Sequence, residues 1–192
     1  MFDSTRGCVW GAEGPELTDV YRCEAYVPEP RERLLRAVTI DADPATVFRW
    51  VCQLKVAPYS YDLIDNLGRR SPRDLTPGAD SLEIGQRMMV ATIVEYDDRQ
   101  VTGVGTPLAN RLFGRMALTY RVEAQGAQRC RLVACLVVAN AGLMGRVRTR
   151  LLAYGDLVMM RKQLLTLKSR AEASSRDREA TAVLRTPTQT DA

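Results

Sequence analysis

Residues 37–54 read AVTIDADPATVFRWVCQL, and inside this stretch the period changes from that of a strand to that of a helix. Leu34 to Asp41 alternates as a strand does, with Val38 and Ile40 on one face. Asp43 then stands where a helix N-cap belongs, and Pro44 at the first helical position, where its missing N–H costs nothing. Val47, Trp50, Val51 and Leu54 follow at the i, i+3, i+4, i+7 spacing of an amphipathic helix. Pro58 ends that helix, and Tyr61 to Leu67 predicts a second short one, closed by Gly68.

Past a Pro- and Gly-containing loop the period returns to two. Strands are expected over Arg87 to Tyr96, Val101 to Thr106, Met116 to Glu123 and Arg129 to Ala139, with a hairpin turn at Gln125 to Gln128. Met116, Leu118, Tyr120 and Val122 form an apolar face against Ala117, Thr119, Arg121 and Glu123. Gly103 and Gly105 mark a bulge or a close approach to the final helix. From Leu143 to Ala173 the pattern is helical. Gly155 and Asp156 are expected to divide it, Asp156 capping a long final helix with the stripe Leu157, Met160, Leu164, Leu167 and Ala171. Three parts result: an N-terminal arm over residues 1–33, a domain over 34–173, and a Ser-, Thr- and charge-rich tail over 174–192 expected to be disordered.

A chain of 192 residues, 46% hydrophobic, suits one core. Its net charge of +4 does not call for nucleic acid. The positive charge is concentrated, however: Arg146, Arg148, Arg150, Arg161, Lys162, Lys168 and Arg170 meet only Asp156 over residues 144–170. That segment is a solvated basic face or a contact for anionic membrane lipid. Histidine is absent and the 5 cysteines contain no Cys-x-x-Cys pair, so neither a metal site nor a disulfide framework is expected, and Cys52 reads as a core residue, not a nucleophile. No cofactor is expected either. The charged first thirty residues do not read as a signal peptide, and no apolar run reaches the ~20 residues of a membrane span. A cytoplasmic location is the expectation; nothing in the pattern sets an oligomeric state.

A strand, two short helices, a run of antiparallel strands and a long C-terminal helix is the element order of the START-like, or SRPBCC, superfamily. AVTIDADPATVFRWVCQL resembles its opening strand and helix. YSYDLIDNLGRRSPR, residues 59–73, and GDLVMMRKQLLTLKSRAE, residues 155–172, resemble a bacterial branch of it. The resemblance implies an α+β helix-grip fold, a curved antiparallel sheet of about six strands around the final helix over a deep apolar cavity. It also implies the function classes that the superfamily hosts, polyketide cyclases and lipid carriers among them.

Three readings follow. One is binding or transport of a hydrophobic small molecule, a lipid, quinone or polyketide-like compound. Another is a cyclase or aromatase, and the third is an interaction module using the basic final helix. The candidate site residues are Tyr59, Tyr61, Asp62, Asp65, Asn66, Arg69 and Arg70, which the resemblance places at the cavity mouth, and Trp50 from the first helix. Asp62, Asp65 and Arg69 share a helix face, so Asp65 would hold the Arg69 guanidinium while its other donors meet a ligand carbonyl or carboxylate. In the cyclase reading Arg69 or Arg70 and Tyr61 stabilise an enolate, and Asp62 or Asp65 moves protons. The bland alternative is an ordinary helix salt bridge with packing tyrosines. Met88, Met89, Met116, Met144, Met159 and Met160 are candidates for an adaptable cavity lining or for core filling.

Overall fold

The alternating segments pair edge to edge into one sheet, and the long C-terminal helix lies across its inner face. A computed structural model describes residues 7–29, 31–60, 70–139 and 142–185. Its strands are β1 (Val9–Trp10), β2 (Arg31–Ile40), β3 (Arg87–Met88), β4 (Ala91–Tyr96), β5 (Gln100–Gly105), β6 (Met116–Gly126) and β7 (Arg129–Ala139). Its α-helices are α1 (Pro44–Cys52), α2 (Pro107–Phe113) and α3 (Gly142–Arg185). The sheet runs β1-β2-β7-β6-β5-β4-β3 and is antiparallel except for the β1–β2 pair.

Seven strands replace the expected six or so for two local reasons. The arm contributes β1, which pairs Val9 with Leu35. The run from Arg87 to Tyr96 breaks in two because Met89 adopts φ +53° and turns the chain between β3 and β4. The expected N-cap is in place, with the Asp43 carboxylate accepting from the Thr46 N–H at 2.8 Å. The second short helix, expected over residues 61–67, lies outside the described residues.

β7 reads as a nearly unbroken apolar run because the sheet is covered on both sides. On the inner face Leu34, Leu118, Tyr120, Leu132 and Leu136 meet α1 and α3 in the main core. On the outer face the arm lays Tyr21, Cys23 and Val27 over Leu35, Ala117, Val133 and Val137. The polar residues of that outer face meet the arm's acids: Arg131 pairs with Glu16 at 2.7 Å, and Arg121 with Asp19 at 2.6 Å while stacking over the Tyr21 ring. The arm runs so close to the sheet that a Cβ on Gly11, where φ is +70°, would stand 2.2 Å from the Ala37 carbonyl oxygen.

Three further expectations are revised. Gly105 approaches α2, not the final helix; a Cβ there would meet the Asn110 side chain at 2.4 Å. α2 itself was not anticipated, although Thr106 and Pro107 carry an N-cap signature and the Thr106 hydroxyl accepts from the Ala109 N–H at 3.3 Å. Nor do Gly155 and Asp156 divide the last helical segment: α3 runs through both, and on past Ser174 to Arg185. There Ser174 accepts from the Trp50 indole N–H at 3.1 Å and Arg178 reaches the Thr46 hydroxyl at 2.6 Å. The folded helix therefore continues beyond the boundary expected at Ser174, held by contacts to α1 that a composition rich in Ser and charge does not reveal.

Candidate functional site

Between the first half of α3 and the inner face of the sheet lies a cavity of about 720 Å³. It falls within the range of small-molecule sites. β6 and β7 supply Met116, Leu118, Ala134 and Leu136; α2 supplies Leu112 and Phe113; α3 supplies Leu151, Leu152, Met159 and Met160. Of the methionines considered as lining, Met89, Met116, Met159 and Met160 are there, whereas Met88 is fully buried in the core. The remaining one, Met144, has a side chain outside those described.

Charge enters this apolar space from α3. Among the described lining residues the acid is Asp156 and the cation is Arg148. Asp156 meets Arg36, an inward-pointing residue of β2 that is 1% exposed, with Oδ2 3.0 Å from Nη2. Desolvation outweighs the arginine's attraction, and burial pushes the Asp156 carboxyl up to about 6. The same burial holds the Arg36 guanidinium below its usual value, with Asp156 acting against that shift. Arg36 is anchored further by the carbonyls of Cys8 (2.6 Å), Leu35 (3.0 Å), Gly7 (2.8 Å) and Ala153 (3.3 Å), so one guanidinium joins the arm, β2 and α3.

A second polar link fixes the neighbouring wall. The Tyr120 hydroxyl donates to Gln163 Oε1 at 2.6 Å, and Gln163 Nε2 donates to the Pro58 carbonyl at 2.5 Å while lying 3.0 Å from Met89 Sδ. Burial, then the charge of Asp156, raises the Tyr120 phenol well above its ordinary range, so it stays protonated and donates. Asp156, Met160 and Gln163 stand four and three residues apart and share one face of α3. That spacing positions both links.

The residues singled out from sequence are distributed differently. Trp50 and Tyr59 are both 1% exposed and pack edge to face, ring centres 5.9 Å apart, in the core beside α1. The Tyr59 hydroxyl accepts from Gln53 Nε2 at 3.0 Å, and neither ring lines the cavity. Arg70 is exposed. Tyr61, Asp62, Asp65, Asn66 and Arg69 lie outside the described residues. Cys52 is buried, and burial pushes its thiol up to about 12, as expected of a core residue. Sequence reading missed Arg36, Arg148 and Asp156 as site residues. For Arg36 and Asp156 the signals were present: a charged residue on the inward beat of an alternating strand, and the single acid of the basic segment 144–170.

No family model matches the chain, and no curated protein matches its sequence. Solved structures do match. A Thermobifida fusca protein solved by solution NMR is 15% identical over 73% of this chain and 93% of that one, with a TM-score of 0.52. A Thermus thermophilus protein is 20% identical over 76% of this chain and 99% of its own, with a TM-score of 0.47. The di-domain aromatase/cyclase BexL of the BE-7585A biosynthetic pathway is 17% identical over 76% of this chain and 51% of its own, with a TM-score of 0.46. At 15% identity and a TM-score of 0.52, the likeness to the Thermobifida fusca protein is one of fold alone. With a seven-stranded sheet packed around one long C-terminal helix over an apolar cavity, the chain has an α+β helix-grip fold.

Proposed function

We propose that the protein binds a hydrophobic small molecule, a lipid, quinone or polyketide-like compound, between α3 and the sheet. The observation that carries this reading is the cavity of about 720 Å³ with its aliphatic, methionine and aromatic lining. Burying apolar ligand surface there gains roughly 25 cal/mol per Å² before the cost of association is met. The flexible thioethers of Met89, Met116, Met159 and Met160 adapt to ligand shape. Binding is common to a carrier and to a cyclase, since both must first enclose the apolar body. Native mass spectrometry of the purified protein, followed by titration with the neutral dye Nile red, tests the reading. A co-purifying hydrophobic molecule, or saturable dye uptake, is expected. A protein that is both empty and unable to take up the dye would overturn it.

A second reading is favoured by the outer side of α3. Val147, Leu151, Tyr154, Val158 and Leu165 recur at helical spacing on this side and are exposed, Leu151 to 73%. Exposed Leu108 and Leu112 of α2 extend the apolar surface, and exposed Arg150 and Lys162 flank it. Leu112, Val147 and Leu151 also line the cavity, so the apolar patch and the cavity mouth coincide. In this reading the face docks on anionic membrane lipid, arginine and lysine meeting headgroups while the leucines enter the interface. The protein is expected to sediment with vesicles of phosphatidylcholine and phosphatidylserine and not with phosphatidylcholine alone, and Leu151→Glu to stay in the supernatant. Equal sedimentation of wild type and Leu151→Glu would remove this reading.

A further inference from the structure

The two charged residues of the cavity lining are in opposite situations. Asp156 has its cation, since Arg36 stands 3.0 Å away. Arg148 has none: among the described residues no carboxylate or carbonyl accepts a hydrogen bond from it, and its Nε is buried without a partner. A guanidinium half-buried in an apolar wall has lost much of its hydration and has gained nothing from the protein in return. Its position is nonetheless prepared. Gly114, the residue that ends α2 with φ +88°, lies directly against it, and a Cβ there would stand 2.2 Å from Nη2 and 2.8 Å from Cζ. The absence of that one carbon is what lets the guanidinium lie along the backbone at the cavity wall.

An arginine fork in such a wall is matched by a planar anion that accepts two parallel hydrogen bonds. Asp156 sits eight residues further along α3, about 12 Å along the axis. Paired with Arg36, it leaves that end of the cavity without a free negative charge to repel an acid. Between the two stretch Leu151 and Leu152, an apolar path. Building on the binding reading above, we infer that the ligand is an organic acid with an extended apolar body, its carboxylate seated on Arg148 and its body running along α3 between the helix and the sheet.

The test compares one hydrocarbon body carrying two heads. Dodecanoate and its methyl ester are titrated against Nile red-loaded full-length protein, wild type and Arg148→Met. The acid is expected to displace the dye from wild type at a concentration roughly tenfold lower than the ester, the scale of one charge-assisted hydrogen-bonded pair. In Arg148→Met the two heads should become equal while the ester keeps its wild-type affinity, which separates head recognition from damage to the cavity. Gly114→Ala, which drives a methyl group into the guanidinium, should likewise lower the acid's advantage. Equal displacement by acid and ester in wild type would overturn the Arg148 assignment and leave the apolar cavity standing. Failure of both compounds to displace the bound dye would likewise overturn the Arg148 assignment, whereas a protein that is empty and takes up no dye at all fails the binding reading itself.

Discussion

Leu164→Asp is expected to abolish the cooperative fold. Leu164 is completely buried, on the face of α3 that also carries Leu167 and Ala171, in the cluster that includes Trp50, Val51 and Leu132. A carboxylate there is taken out of water into an apolar cluster, and protonating it still buries a polar group; the cost is several kcal/mol. Total stability for such a domain is about 5–15 kcal/mol, so the substitution removes most or all of it. The adjacent Leu165 is 42% exposed, and Leu165→Asp should shift melting by only a few degrees. Thermal melts followed by circular dichroism compare the two. A Leu164→Asp protein that melts like wild type would show that α3 is not what the sheet grips.

The next largest effect is expected at Arg36. Arg36→Met leaves the Asp156 carboxyl buried without its cation and withdraws the donor from the carbonyls of Gly7, Cys8, Leu35 and Ala153. Breaking a buried pair from one side costs about 3–5 kcal/mol. Removing both charges together, as Arg36→Met with Asp156→Leu, should recover a large part of that loss, because no unpaired charge then remains. The pH dependence reports on the same pair. In wild type the Asp156 carboxyl is raised from its ordinary 3.8 to about 6, so the folded state holds that proton more tightly than the unfolded state does. Its contribution therefore favours folding fully below about pH 4 and is lost as pH rises through about 6. Arg36→Met should push that loss to higher pH, and the double variant should lack it. Denaturant unfolding of all three at pH 5 and pH 8 measures this. Strictly additive effects of the two substitutions, with one common pH profile, would show that the groups do not act as a pair.

Much of the architecture was legible because its causes are local. Asp43 and Pro44 start α1 through a cap that needs only Thr46 nearby, and the Val47, Trp50, Val51 and Leu54 stripe follows from helical period alone. The alternation of Met116, Leu118, Tyr120 and Val122 likewise identified which face of β6 turns inward. What failed was also local in origin. Asp after Gly reads as a helix start, yet α3 passes through Gly155 and Asp156. A mid-helix glycine costs only about 1 kcal/mol, which packing along the rest of a helix this long exceeds. Trp50 and Tyr59 read equally well as ligand contacts or as core. Their T-shaped contact, with hydrogen bonds to Ser174 and Gln53, decides for the core.

The sequence by itself determined most of the elements, because period, caps and turns act over a few residues; the arrangement of the strands around a final helix was what the family resemblance of those elements implied. The charged chemistry of the cavity was decided by tertiary structure. Local pattern marks Arg36 and Asp156 as odd charges but not as partners; the β2–β7 pairing and the seat of α3 bring them to 3.0 Å. Arg148 differs from its basic neighbours only because α2 ends beneath it in a residue without a side chain. A charge acquires its energy from what surrounds it, and those surroundings come from segments far apart in the chain, so no local pattern could single out which of the basic residues on α3 enters the cavity unpaired.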